Sequence, residues 1–123
     1  FGPIQDKNGN LFVSCNVGFD PIKWYLAKSD APYRGWVLKI SPDGKIEPYS
    51  AGHRSPAGIF IHPVTGEFFY SENQGDWVGS GGITQVNKGD FVGNPASLVW
   101  ANMPDSPVKI TYDDVCKITG MCN

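Results

Sequence analysis

The chain has no run of basic residues. Its ten Lys and Arg stand singly against twelve Asp and Glu, for a net charge of −2. A nucleic-acid footprint needs clustered basic surface, so no nucleic-acid partner is expected. No apolar stretch approaches the roughly 20 residues of a membrane span, so no span is expected. Cys-x-x-Cys, Gly-x-Ser-x-Gly, His-Glu-x-x-His and Walker-type loops are all missing. With them go the familiar zinc, serine-hydrolase and nucleotide sites. Long helix-period stretches are also missing, although Tyr112 to Ile118 reads as a short helix with Asp113 and Asp114 in its first turn. Cysteine is sparse and odd in number, at three. Cys116 and Cys122 lie six residues apart around the flexible Gly120, a spacing that suits a local disulfide. Cys15 ends a strand-like run and reads as a small buried apolar residue. No metal site is expected from these cysteines. No signal peptide is visible, and the chain opens on Phe1-Gly2-Pro3-Ile4, which reads as a processed chain or an excised piece. A secreted or periplasmic location is the expectation.

What the chain does have is 15 Gly and 10 Pro with aromatic and β-branched residues between them. That mixture reads as short strands joined by turns. The 123 residues amount to about one domain. Within them one device recurs. Asn8-Gly9-Asn10-Leu11-Phe12-Val13-Ser14 is a turn followed by a strand, and Thr65-Gly66-Glu67-Phe68-Phe69-Tyr70-Ser71 repeats it 57 residues later. A short apolar segment precedes each copy, Gly2-Pro3-Ile4 and Ala57-Gly58-Ile59-Phe60-Ile61. A third strand follows each, Trp36 to Ile40 and Gly82 to Val86, at an offset of 46. The first copy therefore carries 11 extra residues, a loop excursion within 17–34 holding Pro21, Trp24, Tyr25 and Pro32. The turn Ser41-Pro42-Asp43-Gly44 introduces a fourth strand over Lys45 to Tyr49. Its counterpart is expected near Ala96 to Trp100.

Four short strands per unit at this period are the signature of β-propeller blades. The expected fold class is all-β, with about two four-stranded antiparallel blades belonging to a six-bladed propeller. A β-sandwich is the weaker alternative, because the two halves echo each other in order and chemistry. The first blade covers 1–50, the second 51–103, and a tail with the short helix and the Cys116–Cys122 loop covers 104–123. Two blades cannot close a ring, so the expected partners are the remaining blades, from the same longer chain or from other subunits.

The most specific stretch is Gly52-His53-Arg54-Ser55-Pro56-Ala57-Gly58. Together with Pro63-Val64-Thr65-Gly66-Glu67, Ser71-Glu72 and Gly89-Asp90-Phe91-Val92-Gly93-Asn94-Pro95, it resembles the glucose/sorbosone (aldose sugar) dehydrogenase family. Those proteins are six-bladed propellers that bind pyrroloquinoline quinone (PQQ) and calcium. The resemblance covers about 45 residues, and the first unit matches only as a generic propeller repeat. It implies PQQ and Ca2+ as cofactors and a small sugar as substrate. It places Arg54, Ser55, Asn73 and Gln74 beside the quinone, and Gly75 and Asp76 at the cation. A guanidinium suits the first role, since its planar fork grips a carboxylate or a pair of quinone oxygens. Oxygen-bearing side chains suit a hard cation.

The pattern also departs from the family. Ser55 stands where the family has Asn, Asn73-Gln74-Gly75-Asp76 replaces its calcium-binding segment, and Gly81-Gly82-Ile83-Thr84-Gln85 replaces an acidic run. Neither His53 nor His62 matches the family's catalytic histidine, so no catalytic residue is assigned. His53 reads either as a channel-facing group or as a turn histidine with a backbone partner; His62 reads as an exposed turn residue. Glu72 either pairs with Arg54 or caps a loop amide. Trp36 and Trp77 read as inter-blade core. Two other functions stay open: a non-catalytic propeller module for binding or assembly, and a gluconolactonase-like calcium-dependent hydrolase.

Overall fold

The computed structural model describes residues 1–17, 31–73 and 79–119. Most of the excursion within 17–34, including Pro21, Trp24 and Tyr25, lies outside the described residues, as does Trp77. The architecture is mainly β, with two antiparallel sheets. Strands β1 (Ile4–Gln5), β2 (Leu11–Ser14), β3 (Trp36–Ile40) and β4 (Ile46–Ala51) form the first in sequential order. Strands β5 (Pro56–Ile61), β6 (Phe68–Glu72) and β7 (Gly82–Val86) form the second. A 3₁₀ helix (Pro95–Trp100) and helix α1 (Tyr112–Thr119) follow.

The local chemistry explains the hairpins. Between β1 and β2, the Asp6 carboxylate accepts the N–H groups of Asn8 and Asn10, both at 2.9 Å. Gly9 supplies the positive φ of 85° that this turn demands. Between β5 and β6, the ring Nδ1 of His62 accepts the N–H of Thr65 at 3.1 Å. His62 is thus a turn residue, though half-buried rather than exposed.

The two sheets pack face to face through alternating residues of their strands. Phe12 and Val37 of the first sheet meet Phe68, Tyr70 and Val86 of the second, with Ile4, Tyr49, Ile59 and Ile61 at the margins. Phe12 is the hub: its ring lies edge-on to Tyr49 at 5.2 Å and tilted against Phe68 at 5.3 Å.

Two expectations are corrected here. The segment expected as the second unit's fourth strand, Ala96 to Trp100, is 3₁₀ helix, so the second sheet has three strands among the described residues. Asn94 caps this helix, its side chain accepting the Ala96 N–H at 2.9 Å, and Pro95 fits the first position because it has no N–H to satisfy. Trp36 is core, but not between the sheets. Since Val37 faces the second sheet, strand alternation turns Trp36 to the opposite face. There Trp36 and Ala51 pack against Leu98 and Ala101 of the 3₁₀ helix and its cap, and against Val108 and Val115 beyond them; this whole stretch from Pro95 on forms the tail layer. The Trp36 indole N–H also donates to the Ser97 carbonyl at 2.8 Å. The layer order is therefore tail, first sheet, second sheet.

The short helix is present and extends to Thr119; the Thr111 hydroxyl and N–H both hydrogen-bond the Asp114 carboxylate at its start. Cys116 is disulfide-bonded; Cys122 lies outside the described residues. Cys15 is a free thiol and half-buried rather than buried.

Candidate functional site

A pocket of about 280 Å³ opens where the second sheet meets the chain running back to the first. Arg54, Tyr70, Glu72, Asn73, Thr84 and Asn94 line it with the Ser80–Gly82 backbone. It forms because the chain after β4 turns sharply at Gly52. Gly52 has φ +95°, and a Cβ there would stand 2.6 Å from the Val92 nitrogen. Only glycine lets the two backbones approach this closely. Hydrogen bonds then tie them: Val92 N–H to the Ala51 carbonyl at 2.9 Å and Asn94 N–H to the Gly52 carbonyl at 3.0 Å. The Ser97 hydroxyl adds a third tie, accepting the Gly52 N–H at 2.7 Å while donating to the Asn94 carbonyl at 3.0 Å.

The loop carrying Arg54 is held from the other side by Glu72. One carboxylate oxygen accepts the Arg54 N–H at 2.9 Å, and the other accepts the Ser55 N–H at 2.7 Å. Of the two roles the sequence leaves open for Glu72, capping of loop amides is therefore present. Hydrogen bonds from two neutral amides to one carboxylate are charge-assisted and fix the loop firmly. Asn73 completes the brace by donating its side-chain amide to the Ser55 carbonyl at 3.2 Å.

Of the residues singled out in the sequence, Arg54 and Asn73 line the same pocket. Ser55 is half-buried and joins it through the Glu72 and Asn73 bonds. Gln74, Gly75 and Asp76 lie outside the described residues. Among the described residues, no group of three or more His, Cys, Asp or Glu side chains gathers as a metal site.

His53 does not face the pocket. It is fully buried, its Nε2 lies 2.8 Å from the Ser50 hydroxyl, and its ring meets Tyr70 edge-on at 4.5 Å. Its side-chain partner is thus a hydroxyl and not the backbone group expected. The His53 N–H donates to the Gly35 carbonyl at 3.0 Å, which ties the residue to the turn before β3. Burial pushes its pKa down to about 3, so the ring is neutral at ordinary pH. Tyr70, which separates it from the pocket, has its phenol pushed up by burial and then by the Glu72 carboxylate, against a hydrogen bond with the Thr84 side chain. It therefore presents a protonated hydroxyl.

Sequence reasoning missed Tyr70, Thr84 and Asn94 as pocket residues. Tyr70 and Thr84 lie on adjacent strands at paired positions, a juxtaposition set by the β6–β7 register. Asn94 stands in the Gly93-Asn94-Pro95 motif, where its order suggests a turn rather than a wall. The described surface holds one guanidinium, a neutral phenol, two amides and a carboxylate already committed to two amides. That set suits a small oxygen-rich ligand bearing negative charge. No family model, curated protein or solved structure matches the chain. Among the described residues, no helix is long and apolar enough to cross a membrane.

Proposed function

We propose that the two sheets are two blades of a propeller resembling the sugar dehydrogenases, and that the Arg54 pocket is one wall of a site for a quinone such as PQQ or a comparable small carboxylate. The observation that carries this reading is the placing of Arg54 and Asn73 on one pocket wall, with the Arg54–Ser55 loop clamped by Glu72 and tied to the Asn73 side chain. Arg54 would grip a carboxylate or quinone oxygens, and Asn73 would offer an amide beside it. The neighbouring Gln74 is assigned to the same ligand, and Gly75 and Asp76 to a calcium ion. A bound quinone would accept hydride from a sugar. The described residues supply binding and orientation only, since His53 is sealed behind Tyr70 and cannot take a sugar proton. The base and the other walls belong to further blades. A secreted or periplasmic setting fits the disulfide at Cys116.

The test is spectral titration of the protein with PQQ, with and without calcium. A saturable change that Arg54→Ala abolishes is expected. The absence of any change in the unaltered protein overturns the ligand assignment, and the absence of sugar-dependent dye reduction in the complete assembly overturns the enzyme.

A second reading, a non-catalytic assembly module, is favoured by one observation. The outer face of the first sheet is covered by the chain's own tail rather than left free for another blade. The gluconolactonase-like alternative needs carboxylates and asparagines converging on one metal; its candidate donors are Asn73, which lines the pocket, and Asp76, which lies outside the described residues.

A further inference from the structure

Two walls of the Arg54 pocket are held by different parts of the fold. Glu72 clamps the Arg54 and Ser55 amides from within the second sheet. The wall made by Gly52 and Asn94 is held instead from the tail.

A relay of hydrogen bonds reaches that wall from the outer face of the first sheet. The Trp36 indole N–H donates to the Ser97 carbonyl at 2.8 Å. The Ser97 hydroxyl accepts the Gly52 N–H at 2.7 Å and donates to the Asn94 carbonyl at 3.0 Å. The Asn94 N–H returns to the Gly52 carbonyl at 3.0 Å. Trp36 and Ser97 are 0% exposed and Asn94 is 7% exposed. Buried groups have no water to replace a lost partner, so the members of the relay shift together or leave polar groups unsatisfied. Steric contact runs the same way. Gly35, just before Trp36, has φ +76°, and a Cβ there would stand 2.9 Å from the Ser97 Cβ and 2.9 Å from the His53 carbonyl oxygen. The chain entering β3 thus touches both the 3₁₀ helix and the residue between Gly52 and Arg54.

Asn94 carries this control into the pocket. Its side-chain oxygen caps the 3₁₀ helix by accepting the Ala96 N–H at 2.9 Å. With that oxygen turned to the helix, the NH2 is the group Asn94 can offer a ligand. The place of the helix therefore sets the place of this donor. The helix is placed by Trp36, Ala51, Val108 and Val115, which pack against Leu98 and Ala101.

We infer that Trp36 is a positioning residue for the pocket, acting through Ser97 on Gly52 and Asn94, so that this wall forms only while the tail is docked. The inference rests on the reading of the pocket as a quinone or carboxylate site and adds a control to it. Ligand binding and tail docking then favour each other, and linkage makes the effect reciprocal.

Native-state hydrogen exchange, with a PQQ titration beside it, tests this. Trp36→Phe keeps an aromatic ring but removes the N–H that Ser97 receives. The Gly52 and Asn94 amides are expected to exchange at least about fivefold faster, the lower end of ordinary coupling between sites. The clamped Arg54 and Ser55 amides keep their rates. PQQ affinity is expected to fall by at least the same factor. Val86→Ala, in the core between the sheets at a residue 1% exposed, is a packing loss outside the relay. It is expected to lower Tm and leave the four amides and the affinity unchanged. Should Trp36→Phe fail to fold by circular dichroism, Val108→Ala loosens the tail from its other side and is expected to give the same pattern. Equal changes at all four amides, the same pattern from Val86→Ala, or unaltered PQQ affinity in the folded tail variants overturns the inference. Failure of the unaltered protein to take up PQQ removes the ligand reading alone, and the exchange rates then decide the relay.

Discussion

The Glu72 carboxylate accepts the Ser55 N–H at 2.7 Å, joining the end of β6 to the loop that enters β5. Its second oxygen accepts the Arg54 N–H, so the clamp spans two consecutive amides. Glu72→Gln keeps one acceptor oxygen but turns an NH2 group toward the other N–H. It is expected to cost about 1–3 kcal/mol of stability, the range for leaving a buried donor unsatisfied. Urea unfolding measures the loss. Hydrogen exchange should quicken at the Arg54 and Ser55 amides more than in β3. Unchanged exchange there would show that the clamp does not hold the loop.

His53 makes stability depend on pH in a defined direction. In the folded protein burial holds its pKa near 3, whereas in the unfolded chain it titrates near 6.5. Well above pH 6.5 the ring is neutral in both states and contributes no pH dependence. As pH falls from 6.5 toward 3, the unfolded chain takes up a proton that the folded protein refuses, and stability declines. The slope contributed by this residue is at most about 1.4 kcal/mol per pH unit. Urea midpoints for the unaltered protein should fall through that window, and His53→Gln should flatten the fall. Equal slopes in both proteins would remove His53 from the account.

Gly52→Ala is expected to destabilise by at least about 2 kcal/mol, because an L-residue is strained at positive φ and the new methyl has no room. The methyl would press on the Val92 and Gly93 nitrogens, 2.6 and 2.7 Å away. The hydrogen bonds that join 51–52 to 92–94 would part. A lowered Tm together with loss of ligand binding at the Arg54 pocket is the expected signature. A Tm within a degree or so of the unaltered protein would contradict this account of the turn.

Ser97→Ala removes both partners of one hydroxyl: the Gly52 N–H loses its acceptor and the Asn94 carbonyl its donor. The expected cost is about 1–3 kcal/mol. Asn94→Ala, which strips the helix cap, should cost about 1 kcal/mol. Because Asn94 also lines the pocket and Ser97 does not, only Asn94→Ala should alter ligand affinity directly. Thermal melts paired with binding isotherms separate the two effects.

Much of the fold is legible in the sequence because strand signals here are local. The alternation in Leu11 to Ser14 and the Gly-bearing turns before each copy mark the strands, and the 57-residue offset pairs them. The three-stranded second sheet was not legible on those terms. Ala96 to Trp100 is apolar enough for a strand, and its helical outcome rests on the Asn94 cap and on Trp36 waiting across the fold. A repeat suggests that equivalent segments adopt equivalent structures, and long-range packing overrode it. The pocket was half legible. Arg54 stands out by its motif, whereas Tyr70 enters through strand register, and the choice between two roles for Glu72 depends on an 18-residue separation in sequence closed by the β5–β6 hairpin.

The tail on the outer face of the first sheet has a consequence for how the molecule is made. Trp36 finds its carbonyl partner on Ser97, 61 residues further along the chain. During synthesis both sheets can be complete while Trp36 and Ala51 still stand bare, and they stay so until the ribosome has delivered the segment from Pro95 to Val115. Closure of so long a loop comes late and slowly. The growing chain therefore passes through a stage in which the outer face of its first sheet is bare, and that stage is where a chaperone would be needed.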